Sequence, residues 1–208
     1  MTWDMSSRLL QMEHLAERLA GLPARALVAI DGVDGAGKST FRDALAPMME
    51  RRGASVVRAS VDGFHNPRAI RYARGKADPG GFFQDSYDYR ALRQYLLEPF
   101  RNGATKVQTA RFDHRADCEA IASQQVAPSA ILLIDGIFLH RDELYALWDF
   151  SVFLNVPFEV SYRRMSQRDG CSADPLAIEN RRYYEGQRLY LGSCQPQLRA
   201  TVSIDNFD

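Results

Sequence analysis

Apolar side chains recur at steps of three and four along the first stretch of the chain, at Met5, Leu9, Met12, Ala16 and Leu19. That period predicts an amphipathic helix over residues 5–20, ended by Gly21-Leu22-Pro23. The run "ALVAI" at 26–30 is continuous and short, as a strand buried on both faces requires. A glycine-rich turn follows, then helical spacing at 39–53 that persists through Pro47. The β-branched "SVVRASV" at 55–61 predicts a second strand. Residues 62–87 mix glycine, proline, aromatic and charged residues without a period, which predicts a functional loop region. Helical spacing returns at 89–103 and stops at Gly103, and "KVQTARF" at 106–112 reads as an exposed strand.

Two more apolar runs, "AILLI" at 130–134 and "FSVFLNV" at 150–156, predict further buried strands, with a short helix at 139–148 between them. Helices are predicted at 157–170, opened by Pro157, and at 174–191. A last strand is predicted at 200–205. Strands alternating with helices predict an α/β fold, a doubly wound parallel sheet flanked by helices. The 208 residues fit one domain, 1–208, with no repeat or linker and with residues 1–22 as a flanking helix.

Composition narrows the function. Lys+Arg and Asp+Glu are both 26, so the net charge is zero, unlike the basic excess of a generic nucleic-acid binder. Cys118, Cys171 and Cys194 are odd in number and unrelated in spacing, which predicts reduced thiols. The start of the chain carries charge throughout, and the longest strongly apolar run, 130–134, is too short for a membrane span. A cytoplasmic protein with neither a nucleic-acid nor a membrane partner is expected.

The chemistry is concentrated in "GVDGAGKST" at 32–40, where Gly32, Gly37, Lys38 and Ser39 satisfy G-x-x-x-x-G-K-[ST] between a buried strand and a helix. Two glycines at set positions arise about once in 200 sites at roughly 7 % glycine, and the Lys-Ser pair lowers this about a hundredfold further. Backbone N–H groups across Gly32, Asp34, Gly35, Ala36 and Gly37 can turn toward phosphate, reinforced by the positive end of the helix. Lys38 can bridge the β- and γ-phosphates, Ser39 can hold Mg²⁺, and Thr40 continues the helix. A nucleoside triphosphate, ATP or GTP, is therefore the expected ligand. Asp62 follows the second strand, at the edge where such sheets bind ligands. A carboxylate there can orient an acceptor hydroxyl and take its proton during phosphoryl transfer. Asp135 ends the buried strand "AILLID" and suits the metal side of the site.

The ordered motifs "DGVDGAGKST", "SVDGFHNP", "FFQDSYDY", "VQTARFDH" and "AILLIDGIF" resemble those of the uridine kinase and phosphoribulokinase-like P-loop kinases over about residues 26–206. This resemblance implies a nucleoside- or nucleotide-kinase-like fold and a Mg²⁺-dependent kinase acting on a small-molecule alcohol, with the 5′-hydroxyl of a nucleoside as the expected acceptor. It places the catalytic carboxylate on Asp62 and a ribose-gripping carboxylate on Asp85, with Asp88 as the alternative. It makes about 62–117 an acceptor-binding insertion and about 157–172 an arginine lid, with Arg164 and Arg168 on one helical face and Arg163 in solvent. Phe112 stands where uridine–cytidine kinases carry a pyrimidine-reading tyrosine, and Asp117 stands near their histidine. Phe112 can stack on a base without the phenol's hydrogen bond, a role His114 can supplement. Gln187 is expected to reach the substrate cleft, His65 to touch the acceptor, and Asn206 to pass near adenine. The resemblance also implies self-association, although no stretch identifies an interface.

Two rivals remain open on sequence. "DGFHNP" resembles pantothenate kinase-like relatives, and Arg68, Arg71, Arg74 and Lys76 can meet an anionic acceptor such as a sugar phosphate or a carboxylate. A regulatory NTP-binding module needs a residue that orients attacking water; none is evident, and Asp62 suits an alcohol better.

Overall fold

The computed structural model describes residues 5–207. Along the chain run α1 (Met5–Ala20), β1 (Leu27–Gly32), α2 (Lys38–Glu50), β2 (Val56–Ser60), α3 (Arg68–Arg71), α4 (Pro79–Asp85), α5 (Tyr89–Leu92) and α6 (Glu98–Arg101). There follow β3 (Lys106–Asp113), β4 (Cys118–Gln125), β5 (Ile131–Gly136), β6 (Phe150–Asn155), α7 (Phe158–Asp169), α8 (Arg181–Cys194), α9 (Pro196–Arg199) and β7 (Val202–Asp205). The main sheet has the order β2-β5-β1-β6-β7, with every pairing parallel. The expected α/β architecture is present.

Consecutive residues of the buried strands serve opposite faces. Leu27, Ala29, Leu132 and Ile134 join Phe64, Phe82, Phe100, Phe138 and Tyr190 on one side. Val28, Ile30, Ile131 and Leu133 meet Leu15, Ala16 and Leu19 of α1 and Phe41, Leu45 and Met49 of α2 on the other. The predicted stripe of α1 is thus core from Leu15 onward, whereas Leu9 is exposed and the side chain of Met5 lies outside those described. From β1 the chain goes first to β2, beyond β5 on one side, and later to β6 on the other. The carboxyl end of β1 is therefore the reversal point at which such sheets bind ligands.

Several predicted elements are corrected. Residues 62–87 contain α3, α4 and a 3₁₀ turn at Val61–Phe64. The helix predicted at 89–103 is interrupted by a π turn, Arg93–Leu97. Residues 139–148 form turns with one 3₁₀ turn, Tyr145–Leu147, and the helix predicted from 174 begins at Arg181. The exposed strand at 106–112 has an unforeseen antiparallel partner in β4, whose eight residues are all exposed.

Candidate active site

The phosphate cradle follows from backbone constraint. Gly35 and Gly37 have φ of 73° and 83°, in the left-handed region that side chains disfavour. A Cβ on Gly35 would lie 2.4 Å from the carbonyl oxygen of Ser161 in α7, so the loop also needs glycine there for close approach. Gly37 caps α2, whose first turn carries no acidic residue, leaving its N–H groups to face an anion. The Lys38 ammonium donates to the Val33 carbonyl at 2.9 Å and must exchange that bond for phosphate oxygens. Thr40 is exposed on the first turn of α2.

Two predicted ligand contacts brace the loop instead. Gln187 is fully buried; its Oε1 accepts the Asp34 N–H at 2.7 Å and its Nε2 donates to the Tyr183 carbonyl at 3.0 Å. Asn206 is also buried, donating from Nδ2 to the Ala36 carbonyl at 2.7 Å and accepting from Arg8 at Oδ1. Both amides are committed within the protein beneath the loop, so neither meets the substrate cleft or adenine as expected. The cause is direction: helical and strand spacing give the reach of these side chains, whereas packing turns them toward the loop's backbone.

On the metal side, Ser39 Oγ donates to Asp135 Oδ2 at 2.6 Å. Asp135 is 2 % exposed, and its other oxygen pairs with Arg42, a residue that sequence reasoning passed over. Burial pushes the Asp135 carboxyl above the usual carboxylate range, against the pull of Arg42, Ser39 and Lys38. A hydroxyl beside one carboxylate, next to a phosphate cradle, is a hard-oxygen donor set of the kind Mg²⁺ uses. Among the described residues there is no group of three or more His, Cys, Asp or Glu able to hold a metal.

On the acceptor side, Asp62 lies in the 3₁₀ turn after β2 and stays exposed. Its Oδ1 accepts from the Tyr87 hydroxyl at 3.0 Å. Tyr87 was not singled out in sequence, although it sits inside "DSYDY". Asp34 of the loop is held above the usual carboxylate range by burial, and the charge of Asp62 pushes it the same way. His65 donates from Nδ1 to the Asp62 carbonyl at 2.9 Å, and its ring stacks on His114 with centroids 4.3 Å apart. Burial lowers the His65 pKa, which favours the neutral ring. Phe112 is half-buried on β3, opposite Glu119.

The two candidate ribose carboxylates separate. Asp88 caps α5 by accepting from the Ala91 N–H at 2.8 Å, whereas Asp85 pairs with Arg74 at 2.7 Å. Another omission is Arg182, which is buried at the start of α8. It donates to the carbonyls of Arg71, Gly75 and Asp78 at 2.8, 3.1 and 2.9 Å and ties down the 71–78 loop.

On α7, Arg163 is exposed, Arg164 is half-buried and Arg168 pairs with Asp169 at 2.7 Å. Arg168 also lines a cavity of about 580 Å³ with Asp34, Tyr162, Met165, Cys171 and Tyr183. This places Arg168 beside the phosphate loop. Among the described residues, no helix is long and apolar enough to cross a membrane.

With this geometry in place, comparison with known proteins is informative. The profile of the phosphoribulokinase / uridine kinase family matches residues 27–172. No curated protein matches. A candidate uridine kinase from Bacillus stearothermophilus is similar in fold, with TM-score 0.76 and 23 % identity over 95 % of this chain and 100 % of that one. A candidate fructose transport system kinase from Silicibacter sp. TM1040 aligns with TM-score 0.73 and 24 % identity, covering 93 % of this chain and 98 % of that one. Phosphoribulokinase from Rhodobacter spheroides aligns with TM-score 0.59 and 17 % identity over 86 % and 69 % of the two chains. The matched residues span β1 through α7 and include both the phosphate loop and Asp62, so the chain belongs to the phosphoribulokinase / uridine kinase family and is a P-loop kinase.

Proposed function

We propose that this kinase moves the γ-phosphate of ATP or GTP to the 5′-hydroxyl of a nucleoside, with Asp62 as the base. The observation that carries this reading is the Asp62 carboxylate at the end of β2, steadied by Tyr87 and electrostatically coupled to Asp34 of the phosphate loop. Tyr87 occupies one lobe of Oδ1 and restricts the carboxylate's rotation, leaving its other lone pairs for an incoming O–H. The hydroxyl would donate to Asp62 in the ground state and surrender its proton as the new P–O bond forms.

Phosphoryl transfer asks the protein mainly for positioning and charge compensation. The α2 N-terminus and Lys38 serve the β- and γ-phosphates, while Arg164 and Arg168 serve the migrating group from α7. Ser39 and Asp135 would hold the nucleotide's Mg²⁺ or its water shell; when bound, that ion supplies neutralisation of phosphate charge. Asp85, Phe112, His65 and His114 remain the residues proposed to receive the sugar and base. For His65 and His114 the supporting geometry is their stacked rings beside Asp62.

The test is ADP formation from ATP and Mg²⁺ with a panel of nucleosides, pantothenate and sugar phosphates. Uridine or cytidine is expected to accelerate turnover most. Stimulation confined to another alcohol would reject the nucleoside, and turnover indifferent to every alcohol would reject the acceptor site.

A further inference from the structure

The phosphate cradle holds a contradiction in charge. Its third residue is an acid, Asp34, set in a loop whose N–H groups and Lys38 are shaped to receive a polyanion. Local structure does not ask for an acid there. Asp34 is not among the residues with left-handed backbone, the conformation in which aspartate and asparagine are enriched. Its place in the loop is fixed through the main chain. The Asp34 N–H donates to Gln187 Oε1 at 2.7 Å, and Gly35 lies against the Ser161 carbonyl of α7. Burial, above all, holds the Asp34 carboxyl above the usual carboxylate range, so the fold keeps this side chain against its own stability.

The side chain lines the cavity of about 580 Å³ between the phosphate loop, α7 and the segment leading into α8. Three carboxylates in that lining, Asp34, Asp169 and Glu179, stand against one cation, Arg168. Asp169 is matched by Arg168 at 2.7 Å, and Glu179 accepts the Ser172 N–H at 2.6 Å. The largest compensation for Asp34 comes from Lys38, which the phosphates also claim. On the acceptor side, the charges of Asp62 and Asp34 add to burial in raising the pKa of the Tyr87 hydroxyl, which holds Asp62 at 3.0 Å. One carboxylate of the loop thus acts both on this cavity and on the group proposed as base.

We propose that Asp34 selects the acceptor by charge, accepting a hydrogen bond from an O–H or N–H of a neutral alcohol and repelling an alcohol that carries a carboxylate or phosphate. An ionised oxygen accepts such a bond more strongly than a neutral one. An anion brought beside it meets like charge in a walled site, where water screens little. Discrimination comes from the repulsive contact as much as from the attractive one. This deepens the reading of the acceptor as a neutral alcohol and rests on it, but does not require that the alcohol be a nucleoside.

The test compares uridine with uridine 3′-monophosphate, which keeps the 5′-hydroxyl and differs by one phosphate, and adds pantothenate as a carboxylate. Turnover with ATP and Mg²⁺ is measured for wild type, Asp34→Asn and Asp34→Ala, alongside calorimetric binding of a non-hydrolysable ATP analogue. Wild type is expected to favour uridine over its 3′-monophosphate by about 100-fold or more in kcat/KM, and both variants should shrink that ratio by about tenfold or more. The change should lie in KM, falling for the anionic alcohols and rising for uridine. The ATP analogue should bind as tightly or more tightly, because a negative charge has left the loop. An unchanged ratio in both variants, or a wild type that prefers an anionic alcohol, would overturn the proposal. So would weaker binding of the analogue together with a raised KM for every alcohol, the pattern of a merely structural residue. Failure of the nucleoside reading looks different: another neutral alcohol outpaces uridine, and the ratio is then taken between that alcohol and pantothenate, with the same two outcomes. Turnover indifferent to every alcohol would overturn both.

Discussion

Two strands of this protein end in the same three residues, Ile30-Asp31-Gly32 in β1 and Ile134-Asp135-Gly136 in β5, yet their aspartates do different work. The strands are parallel neighbours, with Ile30 opposite Asp135 and Asp31 opposite Gly136. That one-residue offset sends the two carboxylates to opposite faces of the sheet. Asp31 turns into the aromatic face and is fully buried. It accepts from the Gly32 N–H at 2.7 Å, from the His140 N–H and ring Nδ1 at 3.2 and 2.7 Å, and from the Tyr190 hydroxyl. His140 Nε2 then meets Ser151 Oγ at 2.9 Å, which accepts the Thr201 N–H at 3.1 Å. With Nδ1 protonated and the Ser151 hydroxyl donating to Nε2, every polar atom in this chain of contacts is satisfied. Asp135 instead reaches Ser39 and Arg42 at the ligand edge. The lesson is that a tripeptide does not carry a role; register and the face it selects do.

Breaking each aspartate in turn should separate the roles. Asp135→Asn is expected to lower turnover by about 10², the scale of losing a group that orients a metal or its shell. Its melting temperature should hold within a few degrees or rise, because burial already disfavours the ionised carboxyl. Steady-state kinetics as a function of Mg²⁺, with calorimetric melting alongside, check both halves; a collapse in stability would move Asp135 into the same class as Asp31. Asp31→Asn should do the reverse. Placing an NH₂ among four converging donors costs about 3 kcal/mol, or roughly 6–12 °C of melting temperature for a domain of this size. Nucleotide affinity should change much less at a temperature where the variant is folded, and an unaltered melting curve would contradict the brace.

A smaller effect falls on the third aspartate of this region, Asp34. Its carboxyl is held above the usual range chiefly by burial and by the charge of Asp62, against Lys38. A raised acid gives stability that is complete below its unfolded pKa, about 3.9, and is lost as pH rises through the folded value. Asp34→Asn should therefore melt a few degrees higher than wild type at pH 7, with the gap closing as pH approaches 4. A gap that widens on acidification would reverse the sign and remove the argument.

What could be read in the sequence, and what could not, follows from the same physics. The phosphate loop is legible because Gly35 and Gly37 answer local backbone demands and Lys38 and Ser39 follow at fixed spacing. The strands β1, β5 and β6 are legible because runs such as "ALVAI" have no polar face. β4 leaves no such trace: all of "CEAIASQQ" is exposed, so no buried face imposes alternation. In α4, "PGGFFQD" carries the proline and glycines of a loop, yet Asp78 caps it through the Gly81 N–H and its phenylalanines are core. Gln187 and Asn206 show the limit most clearly. Their positions near the site are readable, but burial beneath the loop, which makes them braces, depends on packing from α7, α8 and β7.

The account stands on the proposal that Asp62 serves as the base for an acceptor alcohol. The most direct measurement is acceptor-dependent turnover of Asp62→Asn alongside its affinity for ATP. Affinity should be nearly unchanged while kcat falls by about 10² or more, the usual scale for a positioned base. Near-normal kcat in that variant would contradict the assignment.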